Sequence, residues 1–221
     1  MRISLIAYGT RGDVQPIIAL GMGLRDAGHD AQLVAGENFG DWIKAHGLGF
    51  APIHVNLQEM MQSEDGVAWV EAKSKPEEMR QMKALFNKVG MQSCHDIQNA
   101  IAGSDLVIGG LTSDFAAASA CEKLGIRYVG AALQPMYPTR APWATILPFW
   151  PYGESPLNTL AGKVAGRFLF GVFADVMREY RAELGLPAWP YGAYYARLSH
   201  TPGLCGFSRH VVPRPKDYPS S

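Results

Sequence analysis

The sequence lacks an excess of charge of either sign: 20 lysines and arginines balance 20 aspartates and glutamates over 221 residues. Binding a run of phosphates requires surplus cations to displace counterions, so nucleic acid is excluded as a partner. Only three cysteines are present, Cys94, Cys121 and Cys205, and no two of them form a C-x-x-C pair. That spacing fits neither a disulfide framework nor a structural zinc site, and the expectation is three reduced thiols in a cytoplasmic protein. The histidines His29, His46, His54, His95, His200 and His210 include no i, i+4 pair and no H-E-x-x-H, so no metal site is expected.

Long hydrophobic runs are missing too. The N-terminal apolar run is too short for a signal-peptide core and enters a glycine turn. A bilayer span needs about 20 apolar residues, whereas the most tempting stretch, Leu157 to Val176, is broken by Lys163, Arg167 and Asp175. At most, the protein is expected to be peripheral to a membrane surface. Hydrophobic residues still make up 48% of the chain, ample for a core in one large or two small domains.

What is present alternates between two periods. Ile3–Ala7 reads as a strand, Tyr8-Gly9 as its turn, and Val14–Ala27 as a helix with Ile17, Leu20, Gly21 and Leu24 on one face. Strands follow at Ala31–Ala35, Phe50–Val55, Leu106–Ile108 and Tyr128–Gly130, with helices at Phe39–His46 and Phe115–Leu124. This rhythm predicts an α/β fold with a doubly wound, parallel, Rossmann-like sheet. Between Asn56 and Pro76 the pattern loosens, and Glu77–Ala102 reads as an inserted helix. Gln134 to Pro156 is crowded with prolines and aromatics and reads as a long loop. Leu157–Leu184 reads as a long helix, Leu204–Phe207 as a last strand, and residues 213–221 as a Pro-rich linker after a domain of residues 1–212.

The informative segment is Gly9-Thr10-Arg11-Gly12-Asp13-Val14-Gln15-Pro16 in the first βα turn. Ligands of open α/β sheets bind at the carboxyl ends of the strands, and two glycines there let a ligand approach the backbone. The dinucleotide spacing G-x-G-x-x-G is absent. Asp13 has two readings: a helix cap accepting from the amides that follow it, or a general base for an acceptor hydroxyl. Arg11 either faces an anion or forms a solvated ion pair with Asp13. Asp114, in the later turn Leu111-Thr112-Ser113-Asp114, either caps its helix or faces the cleft.

The string GTRGDVQPIIALGMGLRDAGHDAQLVAG resembles the opening of the glycosyltransferase family 28 N-terminal domain. The resemblance continues through Ser104–Ile108, Cys121–Ile126, the Gln134-Pro135-Met136-Tyr137-Pro138-Thr139 string and Gly206-Phe207-Ser208, covering essentially the whole chain. It implies the acceptor-binding half of a GT-B glycosyltransferase, akin to sterol and lipid glucosyltransferases and antibiotic-modifying enzymes. By that resemblance Asp13 is the catalytic base that activates the acceptor hydroxyl for inverting attack on the anomeric carbon. Gly9, Thr10, Arg11 and Gly12 form the turn facing the donor diphosphate. The implied co-substrate is a nucleotide-sugar, a UDP- or TDP-hexose, with no other cofactor and no metal.

Nothing resembles the family's nucleotide-sugar motif, so the resemblance implies a donor-binding domain in the same full-length chain or a separate subunit, and inactivity without it. Acceptor-binding candidates are Met60, Met61 and Trp69 in the insertion, and Gln134, Tyr137, Trp143, Phe149 and Trp150 in the proline loop. Flexible methionines and loop aromatics suit a bulky hydrophobic acceptor such as a sterol, lipid or polyketide-like aglycone. Met79 and Met82 fit the helical period and read equally as core. The rival reading is a stand-alone lipid- or partner-binding module that has lost transfer activity.

Overall fold

A computed structural model describes residues 1–55, 57–135, 137–145 and 148–218. Met136 of the proline string, residues 146 and 147 of its loop, and residues 219–221 of the linker lie outside the described residues, as does Asn56.

Six strands, β1 (Arg2–Ala7), β2 (Asp30–Gly36), β3 (Gly49–Ile53), β4 (Leu106–Gly110), β5 (Arg127–Ala132) and β6 (Gly203–Cys205), form one sheet in the order β3-β2-β1-β4-β5-β6. Every pairing is parallel, with Leu5 opposite both Leu33 and Ile108. Successive side chains of a strand point to opposite faces, and β1 shows the consequence. Ile3, Leu5 and Ala7 pack with Ile17, Ile18 and Ile43, while Ile6 and Tyr8 pack with Ile97, Phe115 and Val176. Helices α1 (Arg11–Asp26) and α2 (Gly40–Ala45) cover the first face. Helices α5 (Lys75–Ile101), α6 (Asp114–Leu124) and α7 (Pro156–Glu183) cover the second. The predicted doubly wound sheet is present, and its winding reverses between β1 and β4.

Several boundaries differ from the sequence reading. Helix α1 starts at Arg11, with Thr10 as its N-cap, because the carboxylate of Asp13 reaches back to the Thr10 amide and lets the helix begin earlier than the apolar period. The loosened insertion folds into α3 (Leu57–Gln62) and α4 (Glu64–Val70), the latter capped by Ser63, whose Oγ accepts from the Gly66 amide. The last strand is Gly203–Cys205, because its register pairs Gly203 with Gly130 and Cys205 with Ala132. A further helix, α8 (Tyr191–His200), was not expected.

Helix α8 is tied to the sheet by a buried carboxylate. Asp114, only 4% exposed, accepts from Tyr128 at 2.9 Å and Tyr194 at 2.8 Å and pairs with the Arg197 guanidinium. Burial first, then the neighbouring Asp114, pushes the Tyr128 and Tyr194 hydroxyls well above the ordinary tyrosine range, so both stay donors.

The tail folds back onto the proline loop. Asp217 accepts from the Thr139 hydroxyl at 2.5 Å and the Arg140 amide at 2.8 Å. Trp143 donates to the Pro213 carbonyl at 3.1 Å, and Tyr218 donates to the Ala144 carbonyl at 2.9 Å.

Candidate active site

A cleft of about 340 Å³ opens at the carboxyl ends of β1, β2 and β3. Its wall is formed by Tyr8, Gly9, Thr10 and Arg11 after β1, by Gly36, Asn38 and Phe39 at and after β2, by Val55 after β3, and by Met61 of α3. The position follows from topology: a parallel strand ends where its crossover begins, and the exposed turns gather at that edge. Tyr8 is fixed from both sides. Its hydroxyl shares a 2.9 Å hydrogen bond with Ser93, its carbonyl accepts from the Thr112 hydroxyl across the β1–β4 boundary, and burial raises its pKa to about 12.

Asp13 occupies the third position of α1, and one carboxylate oxygen is already committed. Oδ2 accepts from the Thr10 amide at 2.7 Å and the Thr10 hydroxyl at 3.2 Å. It therefore turns back over the turn and does not cap the amides that follow it, as one sequence reading had it. Oδ1 has no hydrogen-bond partner among the described residues. This posture depends on Gly9: a Cβ there would meet Asp13 Oδ2 at 2.1 Å and Cγ at 2.5 Å. Gly12 has no such crowding, the nearest atom being Thr10 Oγ1 at 3.7 Å. Pro16, inside α1, supplies no amide to the Gly12 carbonyl, which leaves that carbonyl without its usual helical partner.

Arg11 makes no ion pair with Asp13 among the described residues. Its Nε lies 3.3 Å from Gln15 Oε1 and its guanidinium stands 5.3 Å from the centre of the Trp42 ring. Held there, it puts one cation on the cleft wall near the N-terminus of α1, where helix amides and the macrodipole favour an anion.

The cleft thus brings together Gly9, Thr10, Arg11 and Met61 of the residues singled out from the sequence, with Gly12 and Asp13 adjoining them on the same turn. It does not gather the others. Met60 is half-buried against the core cluster that also holds Tyr8 and Val55 and does not line the cleft, and Trp69 is half-buried on α4. Gln134 is exposed, and Tyr137 stacks against Tyr218 at 5.6 Å and is half-buried. Trp143 is tied to the tail, while Phe149 and Trp150 are exposed, the latter against Tyr152 at 5.3 Å. These loop residues follow β5, two strands from β1 on the side away from the cleft. Met79 and Met82 are half-buried on α5. Asp114 is consumed by Tyr128, Tyr194 and Arg197 and does not face the cleft as a free carboxylate.

Sequence reasoning missed Gly36, Asn38, Phe39 and Val55. A signal was available for Gly36 and Val55, which sit at or one residue beyond the end of a predicted strand, but not for Asn38 and Phe39, which lie further on, Phe39 in a predicted helix. It also missed the contacts of His54, next to Val55 in sequence, whose Nδ1 stands 3.1 Å from buried Asp96 and whose Nε2 stands 3.7 Å from Glu37. Among the described residues no cluster of three histidine, cysteine or acidic side chains can hold a metal ion, and no helix is long and apolar enough to cross a membrane.

Residues 3–141 match the glycosyltransferase family 28 N-terminal domain. The chain belongs to this family. Its GTRGD turn, β1 from Ile3 onward, and β2–β5 lie within the matched residues. Over 222 aligned residues this family 28 domain is 32% identical to the sterol 3-beta-glucosyltransferase of Neurospora crassa, an alignment covering 99% of this chain and 14% of that protein. The chain therefore spans a small part of its curated relatives. Among solved structures, it resembles the Streptomyces sp. SF2575 glycosyltransferase SsfS6, with a TM-score of 0.54 and 22% identity over 86% of this chain and 48% of that one. The calicheamicin glycosyltransferase CalG4 gives a TM-score of 0.60 and 17% identity over 88% of this chain and 45% of that one. The fold of the family 28 domain is thus that of roughly half of a GT-B glycosyltransferase.

Proposed function

We propose that this chain is the acceptor-binding half of an inverting, nucleotide-sugar-dependent hexosyltransferase, with Asp13 as its base. The observation that carries the reading is the posture of Asp13 in the family turn. One oxygen is anchored on the Thr10 amide, the other is without a hydrogen-bond partner among the described residues, and the turn that precedes them, Gly9 to Arg11, lines a cleft at the carboxyl edge of the sheet. A base must be held in place and keep an accepting lone pair for the substrate proton, and this carboxylate does both.

The reaction that fits is a displacement. The acceptor hydroxyl oxygen attacks the anomeric carbon, its proton passes to Asp13 Oδ1, and the bond from that carbon to the nucleotide diphosphate breaks with inversion. The donor, a UDP- or TDP-hexose, is held by a second domain joined through a linker starting at Pro213 or supplied as a separate subunit. Arg11 and the first amides of α1 face the developing diphosphate charge. The cleft wall of Tyr8, Phe39, Val55 and Met61 supports a hydrophobic acceptor, consistent with the name of the Neurospora crassa relative.

The test is radiolabelled hexose transfer from UDP- and TDP-sugars to sterol, lipid and phenolic acceptors, by the chain alone and mixed with a family donor-binding domain. Transfer only in the mixture, lost in Asp13→Ala, is the expected result. Acceptor binding without turnover in any mixture would replace this reading with that of a binding module.

A further inference from the structure

Helix α7 faces the wrong way for a helix that only builds a core. Its C-terminal half is conventional: Val172, Val176, Met177 and Tyr180 are buried, and Arg181 pairs with Glu122 at 2.8 Å. In its N-terminal half the large apolar residues point outward, with Leu160, Val164 and Phe168 exposed by 58%, 48% and 63% and Leu157 exposed beside them. They recur at helical spacing and form one stripe.

The glycines on the opposite side explain the orientation. A Cβ on Gly166 would meet the Tyr195 hydroxyl at 2.0 Å, and one on Gly162 would meet Pro138 at 3.1 Å. Close approach of α7 to α8 and to the proline loop requires small residues there, which turns the bulky ones to solvent. Asn158, fully buried, extends the surface: it accepts from the Trp150 amide at 2.6 Å and donates to the Trp150 and Arg140 carbonyls. That fixes exposed Phe149, Trp150 and Tyr152 beside the start of the stripe.

We propose that this stripe is a docking surface for an anionic lipid bilayer. Charge selects that occupant. From Ser155 to Ala174 there is no acidic residue, and the cations in that interval, Lys163 and Arg167, are exposed and make no ion pair among the described residues. The flanking acids are Glu154, exposed before the helix, and Asp175, taken up by Lys83 at 2.7 Å and Arg178 at 3.6 Å. An apolar face of leucine, valine and phenylalanine, bordered by exposed Lys163 and by Arg167, whose guanidinium stands 5.1 Å from the centre of the Tyr191 ring, and by tryptophan and tyrosine at one end, is the composition of a helix lying in the headgroup region. A face awaiting a mobile second domain is expected to be more polar than this. The surface stands independently of the transfer reading.

Flotation of the whole chain with vesicles of phosphatidylcholine containing about a third phosphatidylserine, against phosphatidylcholine alone, tests it. Expected is flotation with the anionic vesicles that weakens with salt, as charge-assisted docking requires. The exposed double variant Leu160→Ser/Phe168→Ser should lower the partition at least tenfold, since each side chain contributes well over that factor when fully buried. Lys163→Gln/Arg167→Gln should erase the preference for anionic lipid, with far-ultraviolet circular dichroism and Tm unchanged in both variants. The proposal is overturned if the wild type stays unbound with both vesicles or if the Ser variant floats like the wild type. It is equally overturned if the stripe instead drives a concentration-dependent dimer, or capture of an added donor-binding domain, without lipid binding.

Discussion

Replacing Gly9 by alanine tests the geometry of the turn without touching Asp13 itself. The backbone at Gly9 is not left-handed, so alanine meets no torsional penalty there. The obstacle is the Asp13 carboxylate, 2.1 Å from the new Cβ, with Asp13 Cβ at 2.9 Å. The side chain must swing away and give up its 2.7 Å bond from the Thr10 amide. A hydrogen bond to a charged group contributes about 1.5–3 kcal/mol. Alanine returns about 0.4–1 kcal/mol by restricting the unfolded chain. The net loss is about 1–2 kcal/mol, a drop in Tm of roughly 2–8 °C for a chain this long. Gly12→Ala is the control: nothing lies closer than 3.7 Å, and alanine within the first helical turn should be neutral or stabilising by up to about 1 kcal/mol. Urea and thermal unfolding of both variants decide the matter. If Gly9→Ala is as stable as Gly12→Ala, the packing of Asp13 over Gly9 is wrong.

Three further outcomes are expected. Asp114→Asn keeps the size of the side chain but leaves Arg197, whose side chain is only 18% exposed, opposite no charge, and urea unfolding should show a loss of about 3–5 kcal/mol; less than 1 kcal/mol would reject the pair as a stabilising contact. Burial raises the Asp217 carboxyl, but the hydrogen bonds from Thr139 and Arg140 outweigh it and leave its pKa below the ordinary value. A depressed acid contributes stability above its unfolded pKa and loses it as pH falls through the folded one, so the tail contact holds at neutral pH and is released below about pH 4. Slowed amide exchange at Arg140 that fails to decline in acid, or that survives Asp217→Asn, would contradict this. Burial pushes the thiol of Cys121 up to about 12 and that of Cys94 higher still, whereas Cys205 is exposed, so a disulfide reagent should titrate one fast thiol and none in Cys205→Ser.

The parallel sheet was legible because β1, β2 and β4 are short apolar runs bounded by glycine turns and separated by helical periods. The start of α1 was written in Thr10-x-x-Asp13, a close analogue of a capping box, but the apolar period begins later and drew the expected boundary to Val14. Helix α8 escaped notice because its contacts are made by Tyr191, Tyr194, Tyr195 and Arg197, which scan as polar yet pack against Phe170, Trp189 and one another. The stripe of α7 reads as core by periodicity alone. Only the partners of Gly162 and Gly166 reveal which side faces the fold, and those partners are distant in sequence. The cleft wall was half legible, since the GTRGD turn stands out by type, whereas Asn38 and Phe39 gain meaning only once β2 ends beside it.

The most direct test of Asp13 as base is the single-turnover rate of hexose transfer, with a family donor-binding domain supplied, for wild type and Asp13→Asn. Asparagine retains an oxygen for the Thr10 amide and so preserves the turn, but it takes up no proton. A base role requires the rate to fall by about 10²–10⁴ with acceptor affinity little changed. An Asp13→Asn variant that transfers hexose at the wild-type rate would contradict it.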